Sequence, residues 1–333
     1  MTEIISVDMG ASHLLVAGIQ KRKTKSLLTH FFIEPIPSSP EAISSRLTTL
    51  FAEGGLSTKS VRVAFRGQGV VIRILNFPQM KKEDFASAIR YEAEKYIPFK
   101  PDEIFLDFQI LSDGIGKGDA RFMKVLLVAA KQTEVYQMLK IFQNAGLNIA
   151  LIDVGAFAVA NFIEATVPKV RDFSLGFLDM GLESTTLGIL HRGTANFIRE
   201  ISFGGSDIVK PLKRKLGLEA DAILDLHKAP DNLTHEHREI LGECLESFLT
   251  EVKLSLAYYS DNVPDAEPLQ TLLVTGSGTR FLPGLGFLEK EIKIPARRPD
   301  IFGHVEIQEG LEEKLIRENE DLLSVALGLC LRT

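Results

Sequence analysis

Cysteine is nearly absent from this 333-residue chain, which holds only Cys244 and Cys330. Two thiols so far apart, without ligand spacing, exclude a disulfide framework and a zinc site and fit a reducing compartment. Long apolar runs are lacking as well. No stretch approaches the ~20 residues that a membrane span requires, and the segment 144–152 is interrupted by Asp153. The opening MTEIISVDMG reads as a strand and not as a signal peptide, so membrane association is expected only through a partner. An excess of positive charge is missing too. The formal net charge of −6 and pI near 5.7 remove any general attraction to nucleic acid or anionic lipid, and the basic runs at 21–25 and 213–215 read as solvated faces. A Gly-x-Gly-x-x-Gly fingerprint does not occur. What remains, 45% hydrophobic and 25% charged, is the composition of a globular chain long enough for two domains.

Against these absences stands one repeated feature. Asp8-Met9-Gly10 and Asp179-Met180-Gly181 each end an apolar run and each precede small or hydroxylated residues and a second apolar run. A strand, a tight turn carrying Asp and Gly, and a returning strand form a hairpin whose tip exposes backbone N–H groups beside a carboxylate. Such a tip suits a phosphate with its metal ion, the N–H groups taking oxygens and the carboxylate holding Mg²⁺ directly or through water. The same tripeptide is also ordinary turn chemistry; it is the matched pair that points to one polyphosphate gripped at two tips.

The periodicities predict strands at 4–7, 14–19 and 27–33, a helix at 41–51, and strands at 61–65 and 70–75, together a mixed sheet. A polar helix at 82–96, stopped by Pro98, precedes strands at 104–111 and 124–130, a helix at 133–145 and a strand at 147–153. After a helix at 156–165 the meander repeats at 173–178, 185–190 and 195–201. Then come a helix opened by Gly204-Gly205, a long helix at 235–259, a strand at 271–275 running into Gly276-Ser277-Gly278-Thr279, and an apolar closing helix at 322–331. The glycines of that strand end permit close passage of backbone by a ligand. The expected divisions are 1–78, 79–150 as a small insertion, and 151–333.

Asp8, Asp179 and Gly276-Ser277-Gly278 occur in the order of the phosphate-1, phosphate-2 and adenosine motifs of the actin, Hsp70 and sugar-kinase superfamily, which the chain resembles over nearly its whole length. Phe77-Pro78-Gln79-Met80, the run from Ala88 through Tyr91, Glu92, Lys95, Ile97, Pro98 and Phe99, and Asp102-Glu103-Ile104-Phe105-Leu106-Asp107-Phe108 narrow the resemblance. They are similar to the signature of PilM-type type IV pilus assembly proteins, as are Arg199-Glu200-Ile201-Ser202-Phe203-Gly204-Gly205, Leu256-Ala257-Tyr258-Tyr259 and Leu282-Pro283-Gly284-Leu285.

The resemblance implies an α/β, actin-like two-domain fold with an inserted small α+β subdomain, as in the division actin FtsA. It implies a cytoplasmic protein, at most a slow ATPase, that binds ATP and Mg²⁺ in an interdomain cleft. It also implies a partner, the N-terminal tail of a PilN-like inner-membrane protein, with other pilus platform proteins besides. Under it, Asp8 and Asp179 are the catalytic and metal-holding residues, and Asn161 stands near a γ-phosphate-sensing position, with packing or capping as its bland alternative. Gly10, Ala11, Ser12, His13, Gly181, Ser184, Thr185, Gly204, Gly205, Gly276, Ser277 and Gly278 are expected to hold the nucleotide. The tail is expected near Arg90, Glu94 and Tyr96, between the insertion and the first half. One departure stands out: relatives carry Asp-Ile-Gly-Ser-Ser-Ser-Val-Lys at phosphate 1, and here the lysine is Leu15. A lost phosphate cation costs about 1.5 to 3 kcal/mol, roughly tenfold or more in affinity. Leu15 therefore favours the alternative reading, a nucleotide-independent scaffold like the GspL type of secretion protein.

Overall fold

The computed structural model describes residues 3–22, 24–67, 69–115, 121–228, 233–263 and 266–332. In chain order the first elements are β1 (Glu3–Met9), β2 (His13–Gln20), β3 (Ser26–Pro35), α1 (Pro40–Glu53), β4 (Ser60–Phe65), β5 (Val70–Pro78), α2 (Lys82–Glu92), β6 (Ile104–Ile115), β7 (Phe122–Lys131), α3 (Gln132–Asn144), β8 (Asn148–Val154) and α4 (Gly155–Thr166). They are followed by β9 (Ser174–Met180), β10 (Thr185–His191), β11 (Thr194–Ile201), α5 (Gly205–Leu216), α6 (Ala220–Lys228), α7 (His235–Asn262), β12 (Leu269–Thr275), α8 (Gly286–Ile292), β13 (Ala296–Arg297), β14 (Val305–Ile307), α9 (Glu313–Glu318) and α10 (Leu323–Leu331).

The chain divides into two units, Met1–Ile36 with Arg62–Ala64 and Gly155–Thr333, and Pro37–Val61 with Phe65–Val154. β5, read from sequence as a strand of the opening sheet, pairs with β7 in a three-stranded sheet of order β5-β7-β6. Its alternation is as good for one sheet as for the other, so only the pairing decides.

The first unit holds strands in the order β14-β3-β2-β1-β4 and a second sheet ordered β11-β10-β9-β12-β13. Each opens on an antiparallel meander, β1-β2-β3 and β9-β10-β11, and in the second sheet the parallel β12 lies beside β9. β9 is buried at every position, which is why its residues read as a continuous apolar run with no alternation. One core gathers Leu15, Phe162, Phe177 and Leu327, another Leu178, Ile208, Phe248 and Val274; each such fully buried side chain contributes about 1.5–3 kcal/mol.

α10 packs on β1, β2 and α4, as its small apolar sequence predicts. The approach to α4 is set by Gly328, where a Cβ would stand 1.8 Å from the Ala158 carbonyl oxygen. Its last carbonyls are held by cations: Lys21 Nζ donates to Leu331 and Arg332 at 3.1 and 3.2 Å, and Arg62 Nη1 donates to Leu329 at 2.8 Å. Lys21 is thus not the solvated charge expected of its run; a helix C-terminus presents unsatisfied carbonyls that a cation satisfies, and burial lowers its pKa.

The second unit pairs α1 with α3, the Ser44 hydroxyl donating to the Ile141 carbonyl at 3.0 Å. Phe77, Phe85, Met123 and Val125 form the apolar layer between its sheet and α2. The helix expected to run to Tyr96 stops at Glu92 and tightens into a 3-10 turn, Ala93–Lys95. Pro98 disfavours helical backbone at Ile97, and the turn closes early through Tyr96 and Ile97 N–H bonds to the Ala93 carbonyl, both 2.9 Å.

Candidate functional site

Both Asp-Met-Gly copies lie in the first unit, and the two hairpins agree residue for residue. Asp8 faces Leu15 and Met9 faces Leu14 across the first; Asp179 faces Thr186 and Met180 faces Thr185 across the second. Each tip closes on itself in the same way, Gly10 N–H donating to the His13 carbonyl at 2.9 Å and Gly181 N–H to the Ser184 carbonyl at 2.8 Å. Among the described residues, the N–H groups of Ala11, Ser12, Leu182 and Glu183 make no main-chain bond to a carbonyl. Donors in this state beside a carboxylate are what an anion with its cation recruits. Asp8 and Asp179 are both buried, and the carboxylate of Asp179 lies against Gly276, whose Cβ would stand 2.6 Å from Oδ1.

The glycines are explained by backbone packed on backbone. Gly276 has φ +97°, a conformation L side chains avoid. A Cβ on Gly278 would lie 2.2 Å from the Gly181 carbonyl oxygen, and one on Gly204 2.5 Å from that of Leu182. Gly205 N–H donates to the Gly181 carbonyl at 3.0 Å and Ser206 N–H to that of Leu182 at 2.8 Å, while the Asp207 carboxylate accepts from Gly204 N–H. The first donors of α5 are thereby consumed inside the protein, and Gly204 and Gly205 serve as the seat of the second hairpin. Thr185 is similarly engaged, its hydroxyl donating to the Phe203 carbonyl at 2.7 Å.

The two motifs of this unit meet at Ser12, whose hydroxyl lies 3.5 Å from that of Ser277. Ser277–Phe281 is a 3-10 turn, in which residues three apart share a face, so Arg280 aligns with Ser277. Arg280 grips the buried Asp321 with two bonds of 2.8 Å and also donates to the Glu318 carbonyl and Asn319 Oδ1 at 2.9 Å. The Asp321 backbone carbonyl accepts from Gly276 N–H at 2.7 Å and from the Thr275 hydroxyl at 2.9 Å. Asp321 and Arg280 escaped the sequence reading. Arg280 stood inside the Gly-Ser-Gly-Thr-Arg run, but nothing local marks Asp321, which reaches this loop only through the fold.

His13 begins β2 and bonds the Ser12 hydroxyl through Nδ1 at 2.6 Å. Burial depresses its pKa, the Arg280 charge depresses it further, and Asp321 opposes both. A second imidazole cluster, also unforeseen, ties α6 to α7: His227 and His237 are buried with their Nε2 atoms 3.1 Å apart. Burial and then the neighbouring ring bring His227 down to about 4, against the Phe281 carbonyl. Asn161 sits half-buried on α4. Arg90, Glu94 and Tyr96 are exposed in the second unit, Tyr96 with its ring centroid 6.1 Å from that of Phe77. Tyr91 beside them is 81% exposed.

Known proteins share this fold. The family model described as type IV pilus assembly protein PilM matches residues 6–333. A chain of a solved PilM-PilN type IV pilus biogenesis complex is 24% identical, with a TM-score of 0.85 over 99% of this chain and 98% of that one. The cell division protein FtsA of Streptococcus pneumoniae serotype 2 is 23% identical over 326 residues, covering 87% of this chain and 71% of its own. MreB5 of Spiroplasma citri, solved bound to ADP, shares 12% identity at a TM-score of 0.54 over 98% of this chain and 95% of that one. The fold is accordingly the actin-like α/β fold. Among the described residues no helix is long and apolar enough to cross a membrane.

Proposed function

The chain belongs to the family of the type IV pilus assembly protein PilM, and from that premise we propose that it is a cytoplasmic adaptor that binds ATP with Mg²⁺ at its two hairpin tips and a membrane-protein tail on its surface. The observation that carries the nucleotide half is the identical closure of the two tips, each with a buried carboxylate and two N–H groups that make no main-chain bond among the described residues. The donor set fits a hard cation. Asp8 and Asp179 supply carboxylate oxygens, the ligands Mg²⁺ prefers, and the cation when bound neutralises phosphate charge. The backbone N–H groups of Ala11, Ser12, Leu182 and Glu183 then take phosphate oxygens, and the glycine packing holds the tips in place. Support for the ligand also comes from MreB5, which was solved with ADP.

The partner half rests on the related PilM-PilN complex. For this chain the partner is the N-terminal tail of a PilN-like inner-membrane protein, and such a tail brings the adaptor to the membrane. Arg90, Glu94 and Tyr96 are its candidate contacts, offering two charges and an aromatic ring on one exposed turn. Leu15 favours a second reading, a scaffold independent of nucleotide, because the position is filled by core and is 2% exposed.

Labelled ATP titrated into the wild type, Asp8→Asn and Asp179→Asn, with and without Mg²⁺, tests the first half; each variant is expected to bind at least about tenfold more weakly. Absence of binding by the wild type at millimolar nucleotide establishes the scaffold reading. A PilN-like N-terminal peptide titrated into the wild type and the Arg90→Ala, Glu94→Ala double variant tests the second half, and equal affinities remove this turn from the partner site.

A further inference from the structure

We propose that His227 and His237 form an acid-sensitive latch, which holds α6 on α7 and on the turn Ser277–Phe281 while both rings are neutral and lets α6 go when the pair takes up protons. The inference does not depend on the nucleotide reading. His227 lies in the last turn of α6 and His237 in the first turn of α7, where the Thr234 hydroxyl caps the helix by accepting from His237 N–H at 3.1 Å. Both side chains are buried, with 7% and 2% exposure, and their Nε2 atoms stand 3.1 Å apart with ring centroids at 5.3 Å. At that distance one Nε2 donates and the other accepts, so the two rings hold opposite tautomers. His227 Nδ1 lies against the Phe281 carbonyl without a well-formed bond. A carbonyl accepts from an N–H and repels a lone pair, so we assign the His227 proton to Nδ1 and make His237 the donor between the rings.

Each neutral ring carries one proton, and every further proton is costly here. The first makes an imidazolium in a shell where, among the described residues, no carboxylate acts on either ring, and at His237 it stands at the N-terminus of α7, whose dipole disfavours a cation. The next sets two N–H groups face to face. The charged groups of the packed elements are engaged elsewhere. Asp221 and Asp225 on α6, His235, Glu236, Arg238 and Glu239 on α7, and Lys210 and Arg214 on α5 are exposed; Lys213 pairs with Glu219 and Lys215 with Glu243; Arg280 is turned to Asp321. Burial leads the depression of both rings, and at His227 the neighbouring ring adds to it. An unfolded histidine titrates at about 6.5 and His227 in the fold at about 4. The latch is therefore at full strength above about pH 6.5 and weakens as pH falls below it, by up to about tenfold per pH unit for each ring that takes up a proton on opening. Its reach extends past α6. The Phe281 ring backs the glycine seat, where a Cβ on Gly205 would lie 2.8 Å from Cδ2, and it shares a core with Ile223 of α6. Release of α6 thus loosens the turn that carries Gly278.

Hydrogen–deuterium exchange of the full chain at about pH 7 and about pH 5, corrected for the intrinsic pH dependence of exchange, reads the release segment by segment. Protection of 220–228 and 277–281 is expected to fall by about tenfold or more at the lower pH while the central strands β9 and β10 keep theirs. His237→Gln, which retains an N–H donor toward His227 but takes up no proton, is expected to lose most of that pH dependence. Ring-nitrogen NMR of the wild type supplies a measurement that needs no variant: at neutral pH the two rings show opposite tautomers, and neither titrates with a midpoint near that of a free histidine. Protection that is equal at the two pH values, that falls equally along the whole chain, or that falls as much in His237→Gln overturns the inference. So does either ring titrating at about pH 6.5 in the folded protein. If His237→Gln does not fold, the wild-type exchange pattern and the two ring titrations decide between the same outcomes.

Discussion

The two hairpins of the first unit share a tripeptide, a register and a closing bond, yet they differ on the returning strand: Asp8 and Met9 are opposed by the buried Leu15 and Leu14, Asp179 and Met180 by Thr186 and Thr185. The second tip is polar on both strands and seated on glycines, with its carboxylate against Gly276. The first keeps the carboxylate and the tip donors but builds the opposite strand into the core. Backbone geometry is therefore duplicated where side-chain chemistry is not. The shape of each tip is made by hydrogen bonds of the main chain, whereas the residue opposite its carboxylate is one replaceable side chain.

The largest effect is expected from the seat of the second tip. Gly278→Ala places a Cβ 2.2 Å from the Gly181 carbonyl oxygen, a clash with backbone that no rotamer relieves. A loss of about 3 kcal/mol in denaturant unfolding is expected, and an unchanged midpoint would show that the two loops are free to separate. The first tip has no such glycine contact, its Gly10 site having only one neighbour, at 3.5 Å, so Gly10→Ala serves as the mild control.

A second change adds a charge to the returning strand of the first tip. Leu15→Lys trades a 2% exposed core leucine for a cation opposite Asp8, and stability is expected to fall by about 2 kcal/mol, the lower end for removing a buried leucine. If the first tip is a phosphate site, ATP affinity rises about tenfold in the same variant. Lower stability without any gain in affinity would mean that the two hairpins differ in purpose as well as in chemistry.

The smallest effect sharpens the comparison at the tip hydroxyls. Ser12→Ala removes the bonds to His13 and Ser277, and about 1 kcal/mol of stability is expected to go with them. On the second tip the position of Ser12 is held by Glu183 and the tip hydroxyl is that of Ser184, at the position His13 holds on the first, and Ser184→Ala is expected to cost less in the same thermal-unfolding measurement.

Most of the elements, and the duplication itself, are written in local residue patterns. Asp8 and Asp179 are legible because a strand, a tight turn and a return strand are local, and the glycines at 181, 204, 205, 276 and 278 because glycine is used where backbones touch. Closure of each tip follows from residues three apart and needs no distant partner. What the sequence leaves open is what requires distant segments. β5 is apolar enough for either sheet and its place depends on pairing with β7. Two-residue and three-residue strands such as β13 and β14 carry no period of their own and exist only through parallel partners. Asp321 is a solvated-looking acid in a charged stretch until the fold sets it under Arg280 and Gly276. The two histidines of α6 and α7 become a buried pair only when those helices pack. Leu15 shows the division most clearly: its identity announces an apolar side chain opposite Asp8, but only the core around it decides that the space is filled.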